Sequence, residues 1–260
     1  MKRKLILGIS LLLMIGLIVG CSGGSNEDQG GAQTEGKVYQ IATDTTFAPF
    51  EFQNDAGEYV GIDIDLLKAI AEDQGFEYKL NPLGFNAAVA ALESNQADAV
   101  IAGMSITDER KEKYNFSEPY FDSGVVMAVS NSNEDITSYK DLEGKKVAVK
   151  TGTEGAGFAE SIKEQYGFEL TYFEESSFMY EDVKTGNTVA CFEDYPVMAY
   201  GITQNNGLKI VTDMEKGNSY GFAVLKDKNS ELLEMFDKGL SNLRESGKYQ
   251  EILDKYISAK

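Results

Sequence analysis

Three side chains stand where a small charged molecule could be gripped. Arg110 follows Thr107-Asp108-Glu109, in which Thr107 can cap a helix and the two acids suit its positive end. A guanidinium there can clamp a carboxylate through two parallel hydrogen bonds, a grip lysine cannot reproduce. It can equally be a solvated helix charge, as Lys111 and Lys113 read. Thr153 lies where a strand passes through Gly152 into a helix start, and the free N–H groups of such a start attract anions. Its hydroxyl can serve that anion, cap the helix, or do both. Asp194 follows a buried apolar run and precedes Tyr195-Pro196, which suits either a turn or the partner of an enclosed cation.

Catalytic alternatives are thin. The chain has no histidine, which removes Ser-His-Asp and Cys-His catalysis and histidine metal sites. An acid or base would have to be Glu118, Glu154 or Glu193. Cys191, in Thr188-Val189-Ala190-Cys191-Phe192, reads as a small buried hydrophobe. No metal or other cofactor is expected.

These residues need strands and helices to position them, and the two alternate as in an α/β layered fold. Val38–Thr43 reads as a strand. After Gly61, Asp63 can cap a helix with Ile62, Leu66, Leu67, Ile70 and Ala71 on one face and Gly75 at its end. Phe76–Leu80 reads as a strand, Asn86–Ser94 as a helix, and Ala99–Met104 as a strand buried on both faces. The order then repeats: strand Lys146–Lys150, helix Gly155–Tyr166, strand Glu169–Phe173, helix Met179–Thr185 and strand Val189–Phe192. Gly124–Val129 and Tyr220–Leu225 read as crossovers between two lobes. A last helix carries Leu232, Phe236, Leu240 and Leu243 back to the first lobe. Ligands in α/β folds favour the carboxyl ends of strands and the crevice between domains. That gathers the loops after Thr43, Ala102, Lys150 and Phe192 around one cleft.

The N-terminus reads as an export signal. Lys2, Arg3 and Lys4 precede an apolar stretch from Leu5 to Val19, shorter than the roughly 20 residues that span a bilayer. Its end, Leu17-Ile18-Val19-Gly20-Cys21, resembles the lipobox of bacterial lipoproteins, which implies lipidation at Cys21. More than one acyl chain there would give a stable membrane anchor. Residues 22–36 lack large apolar side chains and read as a flexible tether spanning about 20 Å. Loss of residues 1–20, which hold three bases and no acid, takes the formal charge from −18 to −21. So acidic a surface repels phosphate backbones, and no nucleic-acid partner is expected.

The remaining motifs resemble, in order, the amino-acid-binding receptors of ABC transporters, the extracellular solute-binding proteins of family 3. The similarity runs through Ala42-Thr43-Asp44-Thr45-Thr46-Phe47-Ala48-Pro49-Phe50-Glu51 and Gly61-Ile62-Asp63-Ile64-Asp65-Leu66. It continues in Ala102-Gly103-Met104-Ser105-Ile106-Thr107-Asp108-Glu109-Arg110 and Phe116-Ser117-Glu118-Pro119-Tyr120. Val149-Lys150-Thr151-Gly152-Thr153, Glu193-Asp194-Tyr195-Pro196 and Leu243-Arg244-Glu245-Ser246-Gly247-Lys248-Tyr249 complete it. The resemblance implies a two-lobed type II periplasmic-binding-protein-like α/β fold, each lobe a mixed sheet flanked by helices, joined by two hinge strands. Residues 37–126 with 223–260 would form lobe 1, and 127–222 lobe 2. It implies a monomeric receptor that closes on an amino acid and docks on an ABC permease at the outer face of the bacterial membrane.

Carried over by resemblance, Arg110 and Thr153 hold the ligand carboxylate. Asp194, the Gly103 carbonyl beside Ala102, and Ser105 hold the ammonium. Phe47 and Phe85 enclose the side chain, whose amide in glutamine-binding members lies between the residues matching Asp44 and Lys150. Arg110 and Lys150 against Asp44 and Asp194 sum to zero, which suits a neutral zwitterion such as glutamine. Glu193 stands where that pattern has a histidine, and Glu154 where many members have a small or amide residue. Both are expected to be solvated or paired outside the cleft. A carboxylate turned inward would instead favour a cationic ligand such as arginine or lysine. Cystine, or an enzyme of dehydratase type on the same fold, is the other alternative. A sensor or adhesin ectodomain would be expected to carry a transmembrane or signalling module.

Overall fold

β-Branched and apolar residues at Val38–Thr43 form strand β1, which leads into a small antiparallel sheet of β2 (Thr46–Phe47), β3 (Glu51–Gln53) and β4 (Tyr59–Val60). The protein is described by a computed structural model over residues 36–257, so the export signal, Cys21 and most of the tether lie outside the described residues. Helix α1 (Ile62–Gln74) follows, then β5 (Glu77–Pro82), α2 (Phe85–Glu93), β6 (Ala99–Val100), the single turn α3 (Asp108–Lys111) and β7 (Tyr114–Phe116). The second unit comprises β8 (Phe121–Ser130), β9 (Lys146–Lys150), α4 (Glu154–Tyr166), β10 (Glu169–Phe173), α5 (Ser176–Thr185), β11 (Ala190–Asp194), α6 (Tyr195–Thr203), β12 (Leu208–Ile210) and β13 (Glu215–Tyr220). The chain then returns through β14 (Ala223–Leu225) to α7 (Ser230–Ser246) and α8 (Lys248–Ile257).

Two mixed sheets result, and they share one plan. The first runs β5-β1-β6-β14-β7 and the second β10-β9-β11-β8-β12, with β13 also on β8. In each, three parallel strands are followed by an antiparallel strand that belongs to a crossover. This is an α/β, two-lobed type II fold. The crossovers lie side by side, with Ser219 paired to Asp122 and Tyr220 to Phe121.

Each lobe has its own core. Ile41, Leu66, Leu67, Ile70, Phe222, Phe236 and Leu240 pack in the first, where Phe222 and Phe236 stack with centroids 4.3 Å apart. The α7 stripe Leu232, Phe236, Leu240 and Leu243 is buried as its spacing requires. Val129, Val147, Val149, Phe158 and Phe192 fill the second core, and Cys191 is buried and unpaired as a small core residue. The α6 residue Val197 belongs to the first lobe's cluster, so α6 bridges the lobes.

Several elements differ from the sequence expectation. Gly61, not Asp63, takes the N-cap position of α1, and Asp63 is turned inward as a buried acid. Gly75 does end that helix in the left-handed conformation. The run Ala99–Met104 is buried, but only Ala99–Val100 is laddered, because the chain turns at Gly103 with φ +52°. Asp194 and Pro196 open helix α6 rather than a turn.

Candidate functional site

The parallel strands β1, β9 and β11 of the two lobes end in Asp44, Lys150 and Asp194 respectively, with Asp44 one residue beyond β1. All three are buried. Lys150 Nζ donates to Asp44 Oδ2, so a closed ion pair joins the lobes. The other Asp44 oxygen accepts from Thr45 N–H at 2.6 Å. Lys150 Nζ also lies 5.4 Å from the centroid of the Phe47 ring.

Arg110 sits on the short helix α3, where Thr107 Oγ1 accepts from its backbone N–H at 3.2 Å. Its guanidinium donates to the Ser105 carbonyl at 2.9 Å and across the cleft to the Gly152 carbonyl at 3.0 Å. It also lies 5.3 Å from the Phe85 ring centroid. Burial lowers its pKa, and the charges of Glu154 and Asp194 oppose that shift. Arg110 is thus a partly enclosed cation whose fork is tied to two carbonyl groups, not a solvated helix charge.

Thr153 is the N-cap of α4. Its hydroxyl accepts from Ala156 N–H at 3.3 Å and donates to the Lys150 carbonyl at 2.8 Å. Asp194 Oδ2 accepts from the Tyr220 hydroxyl at 2.5 Å, and that hydroxyl accepts from Ser123 at 3.0 Å. Burial, then the charge of Glu193, pushes the Asp194 carboxyl up to about 7, while Tyr220 and Arg110 pull against that rise.

Nine of the ten residues singled out for ligand contact line one cavity: Asp44, Phe47, Phe85, Ala102, Gly103, Ser105, Arg110, Thr153 and Asp194. The tenth, Lys150, reaches it through its pair with Asp44. The cavity holds about 10 Å³, about the room of one water, so the two lobes are closed on each other. A larger space of about 650 Å³ lies among α6, α8 and the start of β8. Its wall is mostly aromatic and aliphatic with Asp122 as the one charged side chain, so of these two spaces the smaller is the one lined by several charges.

The two glutamates part company. Glu193 is buried away from the cavity, where Ser176 and Tyr180 donate to one oxygen at 3.1 and 2.7 Å and Asp194 N–H to the other at 2.9 Å. Glu154 lines the cavity, contrary to expectation. Its place in the first turn of α4 turns it toward Arg110 and Asp194, whose pKa values it raises. The sum of zero therefore becomes a formal excess of one negative charge. Tyr220, not singled out in the sequence, holds Asp194 through its hydroxyl. Its signal in the sequence was a hydroxyl inside an otherwise apolar crossover.

Among the described residues no cluster of three or more His, Cys, Asp or Glu is arranged to hold a metal ion. The arrangement offers a clamp for a carboxylate, an acceptor for a cation and a neutralised polar pair between them and two phenyl rings. That is the chemistry of holding a zwitterion.

Known proteins are similar to this chain in sequence and in fold. The arginine-binding extracellular protein ArtP of Bacillus subtilis is 29% identical over 259 residues, covering 99% of both chains. An ancestral arginine-binding protein solved bound to glutamine is 38% identical, with a TM-score of 0.79 over 85% of this chain and 98% of that one. The second substrate-binding domain of Lactococcus lactis GlnP, solved in an open conformation, is 42% identical with a TM-score of 0.58, over 87% and 97% of the two chains. A family model spans residues 39–259, from β1 beyond the end of α8, and so takes in both lobes and every residue of the cavity. The chain belongs to the bacterial extracellular solute-binding proteins, family 3.

Proposed function

We propose that this chain is the lipid-anchored receptor of an ABC uptake transporter and that its ligand is L-glutamine. In this reading Arg110, Thr153 and the first amides of α4 take the α-carboxylate. Asp194, the Gly103 carbonyl and Ser105 take the α-ammonium, and Phe47 and Phe85 flank the side chain. The observation that carries the choice of glutamine is the buried Asp44–Lys150 pair. Already neutral as a pair, it offers an acceptor and a donor side by side, as a carboxamide requires. A cationic side chain brought there would meet Lys150 with its charge fully desolvated.

One observation favours a second reading, a cationic amino acid: Glu154 in the cavity wall leaves one negative charge in excess. Its charge acts on Arg110 and Asp194, the groups assigned to the ligand backbone, which is why glutamine is preferred. Calorimetric titration of the stripped, full-length receptor with glutamine, glutamate, arginine, lysine and cystine decides. Glutamine is expected to bind most tightly, by at least about tenfold, the scale of one misplaced polar contact. Tightest binding to arginine or lysine would sink the assignment. Recovery of a chemically altered ligand by mass spectrometry would instead make the protein an enzyme.

A further inference from the structure

Behind the cavity, Glu51 on β3 and Asp63 on α1 are both fully buried and adjacent, since Asp63 N–H donates to the carbonyl of Phe50, the residue before Glu51, at 3.0 Å, and the two acids act on each other. Asp63 Oδ2 accepts from Gly103 N–H at 2.8 Å and from the Tyr120 hydroxyl at 2.7 Å. Among the described residues no donor reaches either Glu51 oxygen or Asp63 Oδ1. Two ionised carboxylates cannot face each other in such a place, since each would lack a donor and repel the other. One proton held between them removes both difficulties, as in other paired acids.

We propose that Glu51 and Asp63 share a single proton and act as a positioning pair, in which the neutral Glu51 donates to Asp63 and the ionised Asp63 holds Gly103 and Tyr120. The surrounding charges agree with that division. Burial, then Asp63 and Asp44, raise Glu51 well above the usual carboxylate range, and Lys150 only partly opposes them. Asp63 is raised less, to about 6, because Gly103, Tyr120 and Glu51 all supply donors to it. Tyr120 stays neutral, its own pKa driven up by burial and by both acids. Asp44, Lys150 and Tyr120 are the titratable groups that act on the pair.

What the pair positions is the site itself. Gly103 is left-handed and lines the cavity, and a Cβ there would fall 2.4 Å from the Phe47 ring. Its amide is the handle by which Asp63 sets that turn. Tyr120 N–H donates to the Tyr220 carbonyl at 2.9 Å, and the Tyr220 hydroxyl reaches Asp194. Asp63 therefore fastens a cavity-lining turn to the crossovers between the lobes. The inference rests on reading this cavity as the ligand site.

Infrared spectroscopy of the full chain at neutral pH tests the proton directly. The wild type is expected to show the carbonyl stretch of a protonated carboxyl group that E51Q lacks and D194N retains. Calorimetry with L-glutamine tests the positioning. The Gln amide can donate to Asp63 as the neutral acid does, so E51Q is expected to bind within about threefold of wild type. E51A leaves the charge on Asp63 without that donor and is expected to bind about tenfold more weakly or worse. Absence of the band overturns the proposal, as does equal weakening of E51Q and E51A. Lowered melting temperatures with unchanged affinity in both would mean a structural role only, and would overturn it too. A wild type that ignores L-glutamine overturns the ligand assignment and not the pair, whose band persists; the variants are then compared with L-arginine.

Discussion

In the proposed role Asp194 accepts the ligand ammonium while standing beside Glu193 and near Glu154, and that setting makes its proton part of binding. Burial and Glu193 raise it to about 7. Below that pH the closed site holds a neutral acid, which must release its proton before it can hold an ammonium group. Affinity should therefore level off above pH 7 and weaken toward acid, by roughly tenfold for each unit below. Calorimetry between pH 5 and 8 reads this, and a flat profile would contradict it. E193Q removes the largest charge acting on Asp194, so its profile should shift to lower pH. The same raised pKa has a consequence for folding. Between the ordinary carboxylate range and about pH 7 the folded chain keeps a proton that the unfolded chain has released. Asp194 thus costs stability increasingly as pH rises through that window.

At the scale of elements, the site depends on how closely α4 approaches β11, because α4 carries Thr153 and Glu154 while β11 carries Asp194. Two glycines on α4 separate approach from helix propensity. A Cβ on Gly155 would stand 2.9 Å from the Phe192 carbonyl oxygen, whereas one on Gly157 meets nothing within 4 Å. G157A should stabilise by roughly 0.5–1 kcal/mol through helix propensity alone. G155A gains the same propensity but forces the helix off the strand, an overpacking cost of about 1–3 kcal/mol, and should be destabilising and weaken binding. Urea unfolding of the two variants checks the signs, and stabilisation of both would refute the close approach. The elements legible in the sequence were those with a clear period or terminator: β1, β9 and β10, and α1 with Gly75 behind it. Helix α6 was not, since Asp194-Tyr195-Pro196 reads equally as a turn and its apolar residues form no single stripe. Glu154 was misjudged for a related reason. An acid in the first turn of a helix suits the dipole whichever way it faces, so its type carries no signal of the cavity. Asp63 looked like a cap because its burial depends on Gly103 and Tyr120, which are 40 and 57 residues away.

For the molecule as a whole, the question is what holds the lobes together, and among the described residues the Asp44–Lys150 pair is the one ion pair with both side chains buried. Arg110 to the Gly152 carbonyl and Ser176 N–H to Thr46 Oγ1, at 3.3 Å, also cross the cleft. Hinge closure brings groups from both lobes onto a ligand, so ligand shifts the population toward the closed state. Both members of the Asp44–Lys150 pair are 1% exposed in that state. Removing one partner of such a pair costs about 3–5 kcal/mol, because the other charge is left buried alone. In an open receptor water would reach Asp44, so the cost falls on closure and not on the stability of either lobe. K150M should therefore weaken amino-acid binding by roughly a hundredfold or more while leaving the melting temperature of the free chain nearly unchanged. In small-angle scattering with millimolar glutamine, the wild type should contract and K150M should stay extended. The double variant D44N/K150M removes the stranded charge as well. It should recover the ability to contract without recovering glutamine affinity, because the donor for the side-chain amide is gone. Contraction of K150M at wild-type ligand concentrations would mean that the pair is a bystander to closure. Failure of the double variant to contract would mean that a specific ion pair, and not mere charge balance, is what the closed state requires.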